Sequence, residues 1–389
     1  MFLDLTIKRN PKLIETAFRL HQEGYIQPDT YVLDLDAIVY NGRAIKEEAD
    51  RYDVRLYFMT KQFGRNPYVA AELMKIGYEG AVAVDYREAA MLHQNGIRLG
   101  HVGHLVQIPS NQIEAILEMR PEVITVYSVE KAREIAVAAK KIGMTQKVLM
   151  KVIDHGDLIF PGQHGGFYFS NLADSVKELL RLPNLELAGL TSFPCFTVDK
   201  DKKVIHETNN LNTLLKAKTF IEEKFNIKIK QMNTPSVTCT SSIKIIAESG
   251  GTHGEPGHGL SGTTPIHVLT DQVELPASVY VSEVSHNLNY YSYCYGGGHY
   301  RRSFMSEAIV GKDMTTAKRL SVETPDDSAI DYYIGLKENA LVGDTAIFAF
   351  RSQIFVTRSE VAVVKGISTG KPQVVGIYDS QGKLTRGDV

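Results

Sequence analysis

This sequence has few cysteines, almost no net charge and no long apolar run. The three cysteines, Cys195, Cys239 and Cys294, are far apart and form no Cys-x-x-Cys pair, so a disulfide framework or a structural zinc site has no support. The formal net charge is only −2, which provides no basic stripe for nucleic acid or anionic lipid. No window approaches the roughly 18 apolar residues of a membrane span. Charges also interrupt residues 1–15, where a signal peptide needs an apolar stretch, so we expect a cytoplasmic protein.

The sequence does contain a regular alternation of short apolar runs and helical stretches. From residue 30 to about residue 260, about eight or nine β-α repeats follow one another, a rhythm typical of a (β/α)8 barrel. After about residue 277 strand-like runs replace the helical period. We therefore predict an α/β fold with an N-terminal helical arm at residues 1–28, a TIM-type (β/α)8 barrel at 29–272 and a C-terminal all-β domain at 273–389. A doubly wound open sheet is the alternative for the repeats.

An apolar run, residues 56–59, leads into a polar turn that contains Lys61. Barrel enzymes build their active sites from the C-terminal ends of strands and the loops that follow, and Lys61 is at such an end. Burial there would lower the pKa of Lys61 and leave a neutral amine able to form a Schiff base. A solvated surface charge is the simpler explanation of one lysine, so the rest of the chain must decide.

Two consecutive loops could together bind a phosphate. Residues 250–262 contain six glycines in thirteen positions, which lets backbone N–H groups approach an anion closely. Just upstream, the hydroxyls of Thr234, Ser236 and Thr238 lie at the end of the seventh predicted strand. Phosphate sites recur after the seventh and eighth strands of barrels, so the pair predicts a phosphate site, although each loop alone could be a tight turn.

Residues 57–97 resemble the first units of the fold-type III pyridoxal 5′-phosphate (PLP) enzymes. This alanine racemase-like group includes alanine racemases, D-threonine aldolases, D-serine dehydratases and ornithine-type decarboxylases. In their pattern a strand ends in the PLP-binding lysine, a helix follows, and a short strand enters a helix with Glu-Ala. The corresponding segments here are Lys61, residues 68–76, residues 81–85 and Arg87-Glu88-Ala89. The resemblance covers nearly the whole chain and extends most specifically to the uncharacterised YhfX-type branch, for which it implies no substrate.

The resemblance implies PLP as the cofactor and a role for particular residues. Lys61 matches the lysine that binds PLP as a Schiff base. Thr234 and Ser236 match the hydroxyl residues that bind the PLP phosphate. Gly257 and His258, in the eighth-strand loop, would present backbone N–H groups to the same phosphate.

The segment that begins at Tyr293 resembles the part of the C-terminal domain whose tyrosine reaches the active site of a partner subunit as an acid/base. Tyr295 is the better match and Tyr293 is the fallback. This implies a homodimer with shared active sites. Both residues alternate with Tyr291 on one face of a strand, so an aromatic core stripe is the alternative interpretation.

Glu255 is the first departure from the alanine racemase pattern. Alanine racemases keep an arginine facing the pyridine nitrogen where this sequence has Glu255. A carboxylate there would keep the nitrogen protonated and make the ring a stronger electron sink, which puts strict alanine racemisation in doubt. A solvated loop acid is the alternative.

Two arginines mark the other departures. Arg65 replaces the tyrosine that alanine racemases place four residues after the lysine, and it is a candidate contact for phosphate or substrate. Arg351 and Gln353 stand where D-serine dehydratases and D-threonine aldolases carry a metal-binding His-x-Cys pair. Because arginine is not a metal ligand, we expect no metal, and Arg351 could instead bind an anionic group of the substrate.

The loop after the fifth repeat holds two further candidates. His155 and His164 could transfer protons or contact the substrate. A solvated or structural histidine is the alternative for each.

Together these observations predict a PLP enzyme that acts at the α-carbon of an amino acid, with a small-molecule amino acid or amine as its substrate. An amino-acid racemase or epimerase is the leading hypothesis, since Lys61 and a tyrosine of the second subunit could exchange protons on opposite faces. The alternatives are a PLP-dependent lyase or decarboxylase, a non-catalytic PLP carrier, and a phosphate-metabolising barrel without PLP.

Overall fold

The computed structural model describes residues 1–300, 302–326 and 328–387. By their internal contacts the residues divide into two units. The barrel unit comprises Arg43–Thr60 and Ala70–Gly257, and the sheet unit comprises Met1–Gly42, Lys61–Val69 and His258–Val389. The domain limits predicted from the sequence, at residues 28/29 and 272/273, stay a prediction.

The described residues form ten α-helices. They are α1 Phe2–Arg9, α2 Pro11–Gln22, α3 Leu35–Arg51, α4 Pro67–Ile76, α5 Tyr86–Gln94, α6 Ile113–Glu118, α7 Val129–Lys141, α8 Leu172–Leu179, α9 Asn209–Phe225 and α10 Thr240–Glu248. Short 3₁₀ helices cover Lys61–Phe63, Ser110–Gln112, Phe169–Asn171, Pro265–Val268 and Ile354–Val356. In this part of the chain no helix combines the length and the apolarity that a membrane crossing requires.

The strands of the same residues are, in the first half, β1 Thr30–Asp34, β2 Arg55–Met59, β3 Gly80–Ala83, β4 Leu99–Val102, β5 Val123–Val126, β6 Gln146–Ile153, β7 Phe167–Tyr168, β8 Leu185–Thr191, β9 Phe196–Asp199 and β10 Val204–Glu207. The later strands are β11 Gln231–Asn233, β12 His253–Gly254, β13 Ser278–Leu288, β14 Tyr291–Tyr295, β15 Glu307–Gly311, β16 Lys318–Ser321, β17 Tyr333–Leu336, β18 Thr345–Phe348, β19 Glu360–Lys365, β20 Gln373–Asp379 and β21 Leu384–Arg386.

Eight parallel strands of the barrel unit close into a ring. Their order is β2, β3, β4, β5, β6, β8, β11 and β12, and β12 pairs with β2 again. The short apolar runs β3, β4 and β5 are buried along their whole length, as expected of parallel strands covered on both faces. The predicted (β/α)8 barrel is confirmed, and the open doubly wound sheet is wrong.

The sheet unit is built on a ten-stranded sheet. Its main path is β16, β15, β18, β13, β1, β19, β20 and β21, with β14 paired to β13 and β17 to β14. The first strand-like run of the repeat region therefore joins this sheet, because β1 pairs antiparallel with β13 and parallel with β19. The expected C-terminal β-domain is confirmed. The apolar face of α2, with Leu13, Ile14 and Phe18, belongs to the core of this unit.

Candidate active site

The strand end before Lys61 is fixed by a buried carboxylate. Within the barrel unit, Thr60 donates a hydrogen bond from Oγ1 to Oε1 of Glu88, and the backbone N–H of Val84 donates to Oε2 at 2.8 Å. Glu88 is completely buried and therefore needs such partners. This gives the Glu-Ala pattern a physical role, since Glu88 ties the ends of β2 and β3 together one residue before Lys61.

Lys61 begins a 3₁₀ helix of the sheet unit and is half-buried. Arg65, four residues later, is held within the same unit. Its Nη1 donates to Oε1 of Gln381 at 2.7 Å, and its guanidinium lies 5.2 Å from the ring centre of Phe355. A cofactor contact by Arg65 stays a prediction.

Glu255 directly follows β12 and is buried inside the barrel unit. Its Oε1 accepts hydrogen bonds from Nδ1 of His101 at 2.6 Å and from Nδ2 of Asn233 at 2.7 Å. The side chains of His101 and Glu255 are 0% and 1% exposed. The alternative of a solvated loop acid is therefore wrong for Glu255.

The surroundings of Glu255 favour its ionised form. Burial by itself raises the pKa of this carboxyl group. The charge of His101, the hydrogen bond from His101 and the charge of His104 outweigh burial and lower the pKa to about 2. Glu255 is thus a carboxylate at neutral pH.

The second carboxylate oxygen of Glu255, Oε2, differs from Oε1 in its hydrogen bonding. Oε2 is buried and has no hydrogen-bond partner among the described residues. A buried carboxylate oxygen without a donor is costly, so the position suits a ligand group that brings an N–H or O–H donor.

The loop after β11 carries the predicted phosphate residues. Thr234 is buried, and its hydroxyl lies 3.4 Å from the carbonyl oxygen of His253. Ser236 and Val237 both have positive φ angles, 117° and 51°, which are unusual for residues with a Cβ. Such conformations cluster at ligand sites, where surrounding contacts enforce them. The loop runs into the N-terminus of α10, which favours anions.

The eighth-strand loop offers backbone donors. Among the described residues the N–H groups of Gly257 and His258 donate to no acceptor. Strands β11 and β12 are neighbours in the ring and run parallel, so the residues that follow them emerge at the same edge.

The side chain of His258 is buried in the sheet unit among cationic groups. Nδ1 lies 3.0 Å from Oγ1 of Thr263, and Nε2 accepts from Nε2 of Gln353 at 3.2 Å. Burial, and then the charges of Arg351 and Lys61, hold the pKa of His258 well below its usual range. His258 is therefore neutral at physiological pH.

Arg351 lies in the same unit and is half-buried. Burial lowers its pKa, and the charge of Arg302 lowers it further. Neither Nε of Arg351 nor Oε1 of Gln353 has a hydrogen-bond partner in the part of the chain that the structure describes. A half-buried guanidinium whose buried Nε–H is unused is suited to binding an anion.

The candidate tyrosines lie on the open face of β14. Ser292 and Cys294 point into the interior and are completely buried, whereas Tyr293 is half-buried and Tyr295 is exposed. The interpretation as an aromatic core stripe is therefore wrong. Tyr293 stacks on His286 with ring centres 5.0 Å apart, and Tyr295 lies 6.2 Å from Tyr333.

His155 and His164 are both exposed in the loop between β6 and β7. The structure brings His155 to the ring of Tyr168, with centres 5.5 Å apart, and not to Glu255. The loop is attached to α9 through Asp157, whose Oδ1 accepts from Nδ2 of Asn209 at 2.8 Å. A role of either histidine toward the substrate stays a prediction.

Sequence reasoning missed three buried polar residues of the barrel unit: His101, Asn233 and Lys151. Lys151 lies on β6, donates from Nζ to the carbonyl oxygen of Gln163 at 3.1 Å, and sits 4.6 Å from the ring centre of Tyr127. Burial lowers the pKa of Lys151 to about 8. The available signal was a polar residue inside a short apolar strand, as in β4 and β6.

Comparisons with known families agree with this architecture. The model of the alanine racemase N-terminal domain matches residues 33–265, and the model of the YhfX-like C-terminal domain matches residues 279–374. The uncharacterised protein YhfX of Escherichia coli (strain K12) is 44% identical over 383 residues, which cover 98% of this chain and 99% of that protein.

Solved structures share the fold at low sequence identity. D-threonine aldolase from Filomicrobium marinum has a TM-score of 0.68 at 15% identity, covering 92% of this chain and 95% of that chain. Alanine racemase of Clostridium difficile 630 has a TM-score of 0.63 at 18% identity, covering 91% and 98%. Diaminopimelate decarboxylase of M. jannaschii has a TM-score of 0.65 at 13% identity, covering 96% and 92%. The chain therefore belongs to the alanine racemase-like family of fold-type III PLP proteins, in its YhfX branch.

Proposed function

We propose that this protein is a PLP-dependent amino-acid racemase or epimerase. Proteins of the alanine racemase family bind PLP, and the residues of this chain fit that group. Lys61 would hold the cofactor through its amine. Thr234, Ser236 and the backbone N–H groups of Gly257 and His258 would hold its phosphate. When bound, PLP supplies an electron sink for the pair of electrons left when a bond to the α-carbon breaks.

The state of Glu255 is the observation that carries the PLP part of this proposal. Its carboxylate is ionised, buried and hydrogen-bonded through Oε1 alone, so that Oε2 is ready for a donor. A protonated ring nitrogen is such a donor, and an anion beside it keeps the proton in place. Glu255 would thus maintain the electron-withdrawing form of the cofactor ring.

The racemase reading depends on a proton donor on each side of the substrate. The amine of Lys61 would move the proton on one face, and the hydroxyl of Tyr295, or of Tyr293 as the fallback, would move it on the other. The tyrosine would come from a second copy of this chain in a homodimer. The exposed face of β14 supports this assignment because a partner can reach the tyrosines there.

A lyase or decarboxylase is the second candidate, and Glu255 favours it. A strong electron sink assists cleavage of any bond at the α-carbon, not only loss of the proton. Arg351 would bind an anionic group of the substrate in either case, since its buried Nε has no described partner. A carrier of PLP without catalysis is the third candidate.

Covalent cofactor binding is the first test. We expect purified protein mixed with PLP to acquire the visible absorbance of a lysine-bound cofactor, and borohydride reduction followed by peptide mass analysis to locate the adduct at Lys61. Lys61→Ala should abolish both signals, whereas Lys177→Ala, at an exposed lysine of α8, should retain them. An adduct on another lysine in the unaltered protein would refute the assignment.

Exchange of the α-proton separates the candidate activities. The PLP-loaded protein is incubated in D2O with L- and D-amino acids and followed by NMR, and the chirality of any exchanging substrate is then measured. Exchange with loss of optical purity supports the racemase. Formation of a new keto acid, amine or aldehyde would show a lyase and not a racemase. The absence of any exchange would favour the non-catalytic carrier.

A further inference from the structure

His101 is a buried histidine that reaches Glu255 through the interior of the barrel. It lies on β4, and β3 and β2 separate β4 from β12 in the ring. Its contact with Glu255 is therefore not a contact between neighbouring strands. Both side chains are almost fully buried, with Nδ1 of His101 and Oε1 of Glu255 2.6 Å apart. The proposed function leaves this histidine without a role.

Both ring nitrogens of His101 are engaged. An ionised carboxylate only accepts hydrogen bonds, so Nδ1 must carry the hydrogen in its contact with Glu255. Nε2 lies 2.5 Å from Oγ1 of Thr125 on β5. The hydroxyl of Thr125 can donate or accept, so this contact is satisfied whether the ring is neutral or charged. The orientation of the imidazole is thereby fixed from two sides.

The hydrogen bonds to Glu255 are distributed unequally. Oε1 accepts hydrogen bonds from His101 and Asn233, and Oε2 accepts none from the described residues. A carboxylate held through one oxygen keeps a defined orientation and leaves its other oxygen unoccupied. Without His101 the carboxylate of Glu255 would lose one of its two hydrogen bonds and could rotate.

We propose that His101 is a positioning residue, which fixes Glu255 so that Oε2 remains available to the ring nitrogen of PLP. This inference rests on the proposed function, since it concerns the same site. His101 itself would touch neither cofactor nor substrate through this contact. Its effect would pass entirely through the orientation and charge of Glu255.

Three substitutions separate the two contacts of the ring. His101→Leu removes both contacts, the one with Glu255 and the one with Thr125. His101→Asn places an amide nitrogen close to the position of Nδ1 and can still donate to Glu255, but it loses Thr125. His101→Gln places its amide nitrogen close to the position of Nε2 and keeps only the contact with Thr125. The amide variants also guard against a failure of the leucine variant to fold.

The readouts are the dissociation constant of PLP and the position of its visible absorbance band. We expect His101→Leu and His101→Gln to bind PLP about tenfold or more weakly. Losses of this size are usual at metal sites when a residue that orients a metal ligand is removed. We expect His101→Asn to restore most of the affinity and the wild-type band. His206→Leu, at an exposed histidine of β10, is the matched control and should bind like the unaltered protein.

The outcomes distinguish this inference from the proposed function. If the unaltered protein binds no PLP, both are wrong. If it binds PLP and His101→Leu matches it in affinity and in band position, only the positioning role is wrong. Equal losses in His101→Asn and His101→Gln would also overturn it, because the donor at Nδ1 would then have no special importance.

Discussion

Glu255 keeps its charge in a place where burial works against ionisation. Full burial raises the pKa of a carboxyl group, and only the nearby histidines and Asn233 reverse that effect. Charges of this kind are expensive to leave unpaired, so the group belongs to a network and not to a packing position. The carboxylate thus couples the folding of the barrel to pH.

The pH dependence of stability should show this coupling. The pKa of Glu255 falls from 4.5 to about 2 on folding, so its ionised form stabilises the folded protein above about pH 4.5. That contribution should disappear as the pH falls toward about 2. We expect the difference in the free energy of unfolding between the wild type and Glu255→Gln to shrink over this interval. A difference that stays constant, measured by denaturant unfolding at each pH, would contradict the lowered pKa.

At the scale of single residues the sequence indicated some positions and not others. Lys61 and Glu255 could be found because each follows a strand and lies in a distinctive local segment. His101 could not, because its partner lies 154 residues away in the chain. Contacts through a barrel interior depend on which strands close the ring, and no local pattern encodes that. The alternation of tyrosines in β14 likewise indicated one face without saying which face is open.

The loop between β11 and α10 contains two consecutive residues in a strained backbone conformation. Ser236 and Val237 follow one another with positive φ, a conformation that costs a β-branched residue about 1–2 kcal/mol. The fold retains this conformation at the edge where the predicted phosphate residues lie.

Removing the Cβ should reveal that strain. Glycine accepts positive φ without penalty, so we expect Val237→Gly to destabilise the protein by about 1 kcal/mol less than Val106→Gly does. Val106 is an exposed valine without positive φ. Chemical denaturation of the two variants measures the difference, and equal losses would show that Val237 is not strained.

The sequence predicted the helices and strands better than it predicted which strands pair with one another. The repeat of short apolar strands and helices identified the barrel, since each βα unit has a local signature. β1 looked like another repeat strand but pairs with β13 and β19, because a buried apolar strand suits either sheet. Local pattern therefore fixes the type of an element and leaves its neighbours open.

The whole molecule presents an aromatic face formed by His286, Tyr293, Tyr295 and Tyr333. These residues lie on the neighbouring strands β13, β14 and β17, and their rings contact one another. Tyr333 is 48% exposed and Tyr295 is 41% exposed. Such a surface is suited to association with another protein, and the proposed function requires a second copy of this chain.

The assembly state tests this proposal directly. We expect light scattering to give the mass of a dimer and Tyr333→Asp to shift the protein toward the monomer, because a charge would be buried at the interface. Tyr40→Asp, at a tyrosine of α3 that is 49% exposed, should leave the mass unchanged. A concentration-independent monomer in the unaltered protein would exclude a tyrosine supplied by a partner.

The position of β1 in the second sheet has a consequence for synthesis on the ribosome. Thr30 is translated before every strand of the barrel unit, yet its two strand partners are Val281 and Glu360. The strands of the barrel unit are all translated before Val281 and Glu360. The barrel strands can therefore pair with one another while β1 is still unpaired. Nascent chains that stop before Glu360 leave one edge of β1 unpaired, and such edges invite aggregation. Completion of this sheet therefore follows the translation of every strand of the barrel unit.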